Sequence, residues 1–458
     1  MRPLVALVGR PNVGKSTLFN RLAGRRMAIV EDTPGVTRDR NYADVEWGDR
    51  TFTLIDTGGF VVQGADPLLE GMRAQAELAV GESDLVIMVV DGREGIVAPD
   101  RDVADVLRRS GKPVILVVNK VDDSRPAASS VAAEFWKLGF DPVLPISAEH
   151  GIGASDLVET VFAKLPEGAG REESGPAEEG TIRVAILGRP NVGKSTLLNA
   201  LLGKQRVVAS ALPGTTRDAI DTPFESGGRR YILTDTAGIR RQKTVALKIE
   251  HYAVVAALRA LERSDVAALV IDATEPAVDQ DARIAQIAEE RGRALLIVVN
   301  KWDQVEHPPN AEENFRTGLK ERLKFVSYAP ILFTSALKGS KVQKVLEVSA
   351  ALYDELTLRA PTPKLNKLLG HIQDDNPAPF ARGRPLRIYY IAQVATAPPT
   401  FALNCNLPQD VPDFYKRYVS NQIREAFRLR VPMRLLWRAR PGQKKRAARK
   451  RPAARKRH

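Results

Sequence analysis

Short, nearly continuous apolar runs punctuate the first 360 residues and alternate with longer amphipathic stretches. Five of these runs are Leu4 to Val8, Leu85 to Val90, Val114 to Val118, Ala267 to Ile271 and Leu295 to Val299. Their length, and the absence of polar alternation, are typical of strands buried on both faces. Strands that alternate with helices predict α/β domains with a mainly parallel sheet and helices on both faces. Polar residues follow the ends of these strands, where open α/β sheets bind ligands.

The pattern changes after Arg359, where prolines separate shorter elements. We predict a small third α/β unit with a helix at Lys364 to Leu369, strands at Arg387 to Thr396 and Thr400 to Asn406, a helix at Pro412 to Arg428 and a last strand at Met433 to Trp437. The second helix is amphipathic, and the residues spaced for one of its faces are Phe414, Tyr418, Val419, Ile423 and Phe427.

Two long segments of the chain repeat one another. The first copy reads Gly9-Arg10-Pro11-Asn12-Val13-Gly14-Lys15-Ser16-Thr17 and the second, 179 residues later, reads Gly188-Arg189-Pro190-Asn191-Val192-Gly193-Lys194-Ser195-Thr196. At the same offset, Asp56-Thr57-Gly58-Gly59-Phe60 corresponds to Asp235-Thr236-Ala237-Gly238-Ile239. Asn119-Lys120-Val121-Asp122 corresponds to Asn300-Lys301-Trp302-Asp303 at an offset of 181. Repeats of this length indicate a duplicated domain.

The first repeated segment has the Gly-x4-Gly-Lys-Ser spacing of a phosphate-binding loop between a strand and a helix. Its backbone N–H groups and the helix N-terminus are expected to bind phosphates, while Lys15 and Lys194 neutralise the β and γ oxygens as catalytic residues. Ser16 and Ser195 are predicted Mg2+ ligands. Asp56 and Asp235 face the metal through water, and Gly59 and Gly238 bring a backbone N–H to the γ-phosphate.

The repeated Asn-Lys-x-Asp segments predict selection of guanine. A carboxylate at Asp122 or Asp303 accepts two hydrogen bonds from the guanine ring N–H and exocyclic amine, which adenine cannot supply. Adenine binding would leave the buried carboxylate unpaired and so weaken the free energy of binding by about 1 to 3 kcal/mol. We expect the backbone N–H groups of the Ser-Ala pairs Ser147-Ala148 and Ser335-Ala336 to bind the guanine carbonyl.

A Thr-containing loop precedes each Asp-x-x-Gly segment. Thr37 and Thr216 are predicted to complete the Mg2+ shell and to act in catalysis when the γ-phosphate is present; the alternative is an ordinary turn. The Gln that orients the attacking water in Ras-like enzymes is replaced by Phe60 and Ile239. No arginine finger can be assigned, although Arg38 and Arg217 lie nearby in sequence. Slow intrinsic hydrolysis is therefore expected.

Length and charge divide the chain. Its 458 residues suggest about three domains. We place the first GTPase domain at 1–166, an acidic linker at 167–180, the second GTPase domain at 181–358, the third unit at 359–442 and a basic disordered tail at 443–458. The net charge is +13, but 23 Lys and Arg against five acidic residues lie from Arg359 onward, so the first 358 residues carry −5. The C-terminal hundred residues are therefore expected to meet a polyanion.

No apolar run approaches the ~20 residues that cross a bilayer, and the chain has a single cysteine, Cys405. We expect a cytoplasmic monomer in which Cys405 is a small strand residue. The tail is expected to bind RNA by salt-sensitive attraction. Recruitment to anionic membranes is the alternative, and the absence of an amphipathic anchor beside the tail disfavours it.

A family resemblance is carried by both Gly-Arg-Pro-Asn-Val-Gly-Lys-Ser-Thr loops, the Thr-Pro-Gly-Val-Thr-Arg-Asp segment and the Asn-Lys-Trp-Asp segment of the second copy. Over residues 1 to about 440 the chain resembles the EngA family, also called Der, of bacterial tandem Era-like GTPases. The resemblance implies GTP and GDP as ligands, Mg2+, a KH-like C-terminal domain between the GTPase domains, and a role with ribosomes and rRNA in maturing the large (50S) subunit. It also implies K+ held by Asn12 and Asn191; the alternative is that both only brace their loops.

The third unit departs from RNA-binding KH modules because it contains no Gly-x-x-Gly. Basic and aromatic residues interleave there: Arg382, Arg384, Arg387, Lys416, Arg417, Arg424 and Arg428 with Tyr389, Tyr390, Phe414 and Tyr415. They are suited to RNA phosphates and bases, or the aromatics are core residues and the arginines a solvated face. The leading hypothesis is a GTP-hydrolysing switch; in the alternative, only one GTPase domain turns over in an RNA- or membrane-associated scaffold.

Overall fold

The computed structural model describes residues 2–24, 42–57, 81, 83–122, 131–170, 180–203, 221–235, 249–275, 279–306, 308–381 and 383–439. The side chains of Asp221, Thr222, Asp235, residues 249–254 and Ala381 are outside this description. The chain divides into two compact units, Met1–Ala177 with Gln242–Glu262 and Glu178–Arg241 with Arg263–His458. No helix in these ranges is both long and apolar enough to cross a membrane.

The first unit is built on a six-stranded sheet in the order β2-β3-β1-β4-β5-β6. Only β2 is antiparallel to its neighbour. The elements are β1 (Leu4–Val8), α1 (Lys15–Ala23), β2 (Tyr42–Trp47), β3 (Arg50–Asp56), β4 (Leu85–Asp91), α2 (Ala98–Ser110), β5 (Val114–Asn119), β6 (Val143–Pro145) and α3 (Ala154–Lys164).

Successive residues of β1 enter different hydrophobic cores, one on each face of the sheet. Val5 and Leu7 join the cluster containing Leu18 of α1 and Val161 of α3. Ala6 and Val8 join a second cluster, which contains Leu107 of α2. This explains why the strand is apolar at every position, and it confirms the prediction of helices on both faces.

The second unit repeats this architecture with a sheet in the order β12-β11-β10-β7-β9-β8. Its elements are β7 (Thr181–Leu187), α4 (Lys194–Leu202), β8 (Asp221–Ser226), β9 (Arg229–Asp235), β10 (Val266–Asp272), α6 (Asp279–Glu290), β11 (Ala294–Asn300), α7 (Ala311–Arg322), β12 (Ile331–Phe333) and α8 (Gln343–Leu356). Helix α5 (Ile249–Glu262) belongs to the first unit because of its contacts there, where Val255 packs with Leu4 and Ile55.

The rest of the second unit is a small α/β domain. It contains α9 (Thr362–Asp375), a short pair β13 (Phe380–Ala381) and β14 (Arg384–Pro385), β15 (Ile388–Ala395), β16 (Thr400–Cys405), α10 (Asp413–Phe427) and β17 (Arg434–Ala439). The last three strands form a sheet in the order β15-β16-β17, antiparallel and then parallel. Cys405 is buried in β16, and burial raises the pKa of its thiol, which agrees with its predicted role as a small strand residue.

One hydrophobic cluster runs from the second GTPase domain into this C-terminal domain. It contains Val184 of β7 and Leu352 of α8 together with Leu369 of α9 and Leu403 of β16. Polar contacts continue the junction. The Gln393 side chain accepts the Ala360 N–H at 2.7 Å and donates to the Leu358 carbonyl at 2.8 Å, and the Arg430 Nε donates to Glu355 Oε1 at 2.9 Å.

The buried face of α10 differs from the predicted face in one position. Tyr415, not Phe414, enters the core: Tyr415 is 0% exposed, whereas Phe414 is 60% exposed. Val419 and Ile423 are buried as predicted. Tyr415 is therefore a core residue and is excluded from the aromatics able to stack on RNA bases.

Two further expectations change. Arg424 does not lie on a solvated face, since its guanidinium stacks 3.7 Å from the Tyr328 ring centroid and donates to two carbonyls. Residues 167–170, placed in the linker by composition, are bonded to β3, because the Thr51 N–H donates to the Gly170 carbonyl at 2.8 Å. Residues 171–179 of that linker, Arg382 and the tail from 443 lie outside the described residues.

Candidate functional site

The first phosphate loop lies between β1 and α1, as predicted, and its glycines are needed for reasons of space. Gly14 adopts φ +93°, and a Cβ there would meet the Asn119 side-chain nitrogen at 2.3 Å. A Cβ on Gly9 would meet the Val89 carbonyl oxygen at 2.3 Å. Val13 between them is fully buried and anchors the loop. The loop backbone is thus packed closely against Val89 and Asn119, and its N–H groups lie at the start of α1.

Lys15 lies in the middle of this loop and is 6% exposed. Its ammonium donates to the carbonyls of Gly9 at 2.6 Å and Arg10 at 2.7 Å. Burial is the main cause that lowers the pKa of Lys15 to about 8, although the charge of Asp56 acts in the opposite direction. Bound phosphates would supply the negative charge that the carbonyls only partly provide.

The second loop has the same geometry. Lys194 donates to the carbonyls of Gly188 at 2.9 Å and Arg189 at 2.6 Å. A Cβ on Gly193 would meet the Asn300 side-chain nitrogen at 2.3 Å. The two copies therefore share a local structure as well as a sequence, which is expected when both loops serve one chemistry.

Two of the predicted Mg2+ ligands of the first site, Ser16 and Asp56, lie together, while Thr37 is outside the described residues. Ser16 Oγ donates to Asp56 Oδ2 at 3.0 Å, and Asp56 ends β3 next to the loop. Thr57 is turned away, because its hydroxyl donates to the Leu7 carbonyl at 2.5 Å. A hydroxyl and a carboxylate are the hard oxygen ligands that Mg2+ accepts, with phosphate and water completing its shell. The residues present fit the ion.

The Asn residues of both Asn-Lys-x-Asp segments connect the base end of the site to the phosphate loop. Asn119 Nδ2 donates to the Val13 carbonyl at 2.7 Å, and its Oδ1 accepts the Ala148 N–H at 2.9 Å. Asn300 makes the corresponding bonds to Val192 and Ala336, both at 2.9 Å. Each amide side chain thus holds three loops together, and the Ser-Ala pairs are fixed against the Asn as well as being near the base position.

The carboxylates that the sequence predicts to select guanine, Asp122 and Asp303, are held by serines of the Ser-Ala segments. Ser147 Oγ donates to Asp122 Oδ1 at 2.7 Å, and this bond is the largest cause that lowers the pKa of Asp122. The hydrogen bond from Ser335 does the same for Asp303. Both carboxylates are therefore ionised and oriented as hydrogen-bond acceptors at neutral pH.

The surroundings of these two carboxylates differ between the copies. Arg93 forms an ion pair with Asp122, and His150 lies 3.9 Å from it. In the second copy Lys338 lies 3.5 Å from Asp303. The base ends of the two sites are thus alike in their acceptor and unlike in the cations beside it.

The arginines of the phosphate loops extend away from the phosphate position. Arg10 pairs with Glu94 at 2.8 Å and with the buried Asp100 at 3.5 Å. Arg189 pairs with Glu275 at 3.0 Å and with the buried Asp281 at 3.1 Å. These side chains hold the loop through ion pairs with neighbouring segments. Any contact of Arg10 and Arg189 with the nucleotide would therefore be made by their backbone atoms.

The sequence did not predict the four carboxylates that pair with the phosphate-loop arginines, namely Glu94, Asp100, Glu275 and Asp281. A signal for them exists. The second pair follows the first at an offset of 181, which is the offset of the Asn-Lys-x-Asp segments. Because their partners lie far away in sequence, the repetition alone marks them as important without showing what they contact.

The remaining predicted residues fall into two groups. Pro11, Asn12, Pro190, Asn191 and Val121 lie in the expected loops, with Asn12 and Asn191 exposed at φ +65° and +64°; Thr17 and Thr196 lie in the first turns of α1 and α4, and Trp302 begins a short 3-10 helix. Thr37, Thr216, Gly58, Gly59, Phe60, Thr236, Ala237, Gly238 and Ile239, the side chain of Asp235, and the nearby Arg38 and Arg217 lie outside the described residues.

Comparison with known proteins matches both repeats and the C-terminal domain. The family described as "50S ribosome-binding GTPase" matches residues 4–120 and 183–301, and "KH-domain-like of EngA bacterial GTPase enzymes, C-terminal" matches 359–438. "GTPase Der" of Myxococcus xanthus is 59% identical over 453 residues, covering 99% of each chain. The chain belongs to the GTPase Der family.

Another member of the Der family is also similar along nearly its whole length. "GTPase Der" of Moorella thermoacetica is 48% identical, covering 95% of this chain and 98% of that protein. Among solved structures, Era of Aquifex aeolicus is 22% identical, with a TM-score of 0.29, over 59% of this chain and 97% of its own. As a Der-family member the chain is a GTPase with two P-loop GTPase domains and a KH-like C-terminal domain, as predicted.

Proposed function

We propose that this Der-family GTPase binds a guanine nucleotide at each of its two sites and acts as a switch in maturation of the large ribosomal subunit. The observation that carries the proposal is the duplicated network in which one Asn side chain ties the phosphate loop to the base-recognition loop. Duplication of these bonds supports binding at both sites, since a domain that had lost its ligand would not need them.

In this proposal each residue keeps the role that its motif predicts, and for Lys15, Lys194, Asp122, Ser16 and Asp56 the observed contacts support that role. Lys15 and Lys194 stabilise charge on the β and γ oxygens, while Asp122 and Asp303 select guanine. Ser16 and Ser195 hold Mg2+ with Asp56 and Asp235, and Thr37 and Thr216 complete its shell; the ion supplies charge neutralisation of the phosphates. Because Phe60 and Ile239 cannot orient water through a side chain, hydrolysis without a partner is slow.

Association with ribosomes is tested by sedimentation with ribosomal particles under GTP, a non-hydrolysable analogue and GDP. We expect co-sedimentation with the large subunit or its precursors to depend on the nucleotide. Asp122→Asn and Asp303→Asn, tested separately, are expected to remove the dependence on the guanine nucleotide at one site each. Co-sedimentation that is equal under all three nucleotides would exclude the switch.

The alternative in which only one domain hydrolyses GTP is tested with two matched variants. Lys15→Ala and Lys194→Ala each remove one ammonium from equivalent loops, so single-turnover assays assign hydrolysis to each domain. We expect each variant to lose one of two components. Complete loss in one variant and none in the other would favour the scaffold in which one site only senses nucleotide.

We also propose K+ as an activator held by Asn12 and Asn191, where its charge would replace that of an arginine finger. Their left-handed backbone offers a second reason for Asn, since Asn tolerates this region. The two reasons are separable: Asn12→Gly with Asn191→Gly keeps the backbone freedom and removes the side-chain oxygen. K+ should raise hydrolysis over equal Na+ in the unmodified protein and not in the Gly variants; an unchanged ratio would reject the site.

The partner of the basic C-terminal region is proposed to be rRNA, with the protein acting in the cytoplasm as a monomer. Tyr389 and Tyr390 are exposed, as are Arg384 and Arg387 a few residues before them in the chain, which supports contacts to bases and phosphates. Co-sedimentation with anionic liposomes in the presence of rRNA competitor distinguishes the membrane alternative. Protein that remains on liposomes at saturating rRNA would favour it.

A further inference from the structure

A buried aspartate ends the strand next to each base-recognition loop and contacts its lysine. Asp91 at the end of β4 is 1% exposed, and its Oδ2 accepts a hydrogen bond from Lys120 Nζ at 2.5 Å. Asp272 at the end of β10 is 5% exposed and accepts one from Lys301 Nζ at 2.5 Å. Neither aspartate belongs to a motif used above, yet the contact is the same in both domains.

Each aspartate is itself fixed by the turn that follows it. Asp91 Oδ1 accepts the Arg93 N–H at 2.9 Å, and Asp272 Oδ1 accepts the Thr274 N–H at 3.0 Å. Burial acts to raise the pKa of both carboxyls, but the lysine and turn hydrogen bonds outweigh it and lower their pKa. The aspartates are therefore ionised and rigid, as a residue that positions another must be.

The lysine side chain crosses from one strand end to the next. Lys120 follows β5 with φ +65°, and Lys301 follows β11 with φ +60°. Each lies between the Asn that binds the phosphate loop and the carboxylate that selects guanine. With its ammonium held by the aspartate, the methylene chain is fixed between the two strand ends, and a lysine stem can pack on an apolar surface while its charge stays paired.

We propose that Asp91 and Asp272 are positioning residues that hold the methylene chains of Lys120 and Lys301 against the purine ring. This inference rests on the proposed guanine sites. Its effect differs in kind from that of Asp122 and Asp303, because packing on a ring face supports any purine equally, whereas those carboxylates distinguish guanine by its exocyclic amine.

The test isolates one site of the full-length protein. Asp122→Asn removes guanine selection in the first domain, so calorimetry with GDP should change from two bound nucleotides to one. In that background Asp272→Asn keeps an acceptor for the Thr274 N–H and removes the charge paired with Lys301. We expect the affinities for GDP and IDP to fall together by roughly fivefold, as for loss of a charge-assisted hydrogen bond.

Asp265→Asn is the matched control. Asp265 precedes the same strand at its opposite end and accepts the Arg183 N–H at 3.0 Å, so its replacement tests structural damage to β10 without touching the pocket. A Lys301→Ala variant completes a double-mutant cycle. If the aspartate acts through the lysine, Asp272→Asn should have no further effect once Lys301 is Ala.

Each result has one meaning. If Asp122→Asn leaves two GDP bound, the guanine-pocket assignment fails. If Asp122→Asn leaves one GDP bound, three results would contradict the positioning role of Asp272. The Asp272→Asn variant would bind GDP as tightly as Asp265→Asn does, its loss of affinity would add to that of Lys301→Ala, or the ratio of GDP affinity to IDP affinity would change. A shared decrease for both nucleotides that vanishes in the Lys301→Ala background supports it.

Discussion

At the scale of single residues, the sequence predicted the chemistry of the pocket and left its supporting contacts undetermined. Asn119 was expected near the nucleotide because of its spacing from Asp122. Its side chain is instead occupied by the Val13 carbonyl and the Ala148 N–H. Spacing along a chain predicts which loop a residue occupies, but its bonding partner depends on distant segments that only the fold brings close.

Lys15 gives a prediction for pH. In the free protein its ammonium loses the proton near pH 8, whereas bound phosphates would stabilise the charged form and raise its pKa. Binding at the first site should therefore be independent of pH below about 7.5 and weaken by up to ~tenfold per unit above pH 8 as a proton is taken up. Calorimetry of GDP binding in buffers of different ionisation enthalpy measures the uptake.

The control for this effect is the Asp122→Asn variant, which lacks guanine binding at the first site. Proton uptake that persists in that variant at the same amplitude would assign it to a group other than Lys15.

The conformation of Gly14 and the lack of space around it give a prediction for nucleotide binding. Gly14→Ala should abolish nucleotide binding at the first site, because the Cβ would displace Asn119 and break its bond to Val13. Gly48→Ala is the matched control: Gly48 also has a positive φ, at +64°, but no atom lies within 4 Å of its Cβ position. The control should lose only roughly 1 to 2 kcal/mol of unfolding free energy. Nucleotide titration and denaturant unfolding of both variants check this, and an equal weakening of binding in both would contradict it.

At the scale of elements, hydrophobic patterning located the apolar strands, whereas most helices were expected only as segments between strands. The helix predicted at Lys364 to Leu369 is longer in the structure, where α9 spans Thr362–Asp375. Strand β1 was predicted at its observed bounds, and the other apolar runs were located within one or two residues. The error in α10 has a physical cause. Phe414 and Tyr415 are adjacent aromatics at the start of the helix, and periodicity alone does not decide which of them turns inward when the neighbouring α9 sets the packing.

The α10 correction is tested by two aromatic truncations one residue apart. Tyr415→Ala should lower the free energy of unfolding by roughly 3 kcal/mol, as for other buried aromatics. Phe414→Ala should change it by less than about 0.5 kcal/mol, since a solvent-exposed ring packs little against the rest of the protein. Thermal or denaturant unfolding of both variants decides; a larger decrease for Phe414→Ala would reverse the assignment.

At the scale of the whole molecule, charge separates two kinds of surface. The repeated GTPase domains are close to neutral overall, while the basic residues concentrate after Arg359. Repeats and charge predicted about three domains, whereas the structure divides into two compact units. The continuous core joining the second GTPase domain to the C-terminal domain was not predicted, because apolar residues carry no mark of which side of a domain boundary they pack against.

Removing residues 444–458 gives the prediction for this scale. The truncation deletes nine Lys and Arg, so RNA affinity should fall and its salt dependence flatten, by as much as ~0.7 in logarithmic slope for each phosphate that the tail no longer neutralises. GTP hydrolysis should be unchanged. Filter binding to rRNA across salt concentrations measures the slope, and an unaltered slope would show that the tail does not bind RNA.

The contacts at the end of α8 determine where the protein can be truncated or split without exposing its core. Stopping translation after residue 358 would strip Glu355 of its Arg430 partner, deprive the Leu358 carbonyl of the Gln393 amide, and expose apolar side chains that now face α9 and the three-stranded sheet. For anyone dissecting the protein, the second GTPase domain and the segment after it are therefore a single module: a reporter or affinity tag belongs before β7 or after β17, and not at the boundary that composition suggests.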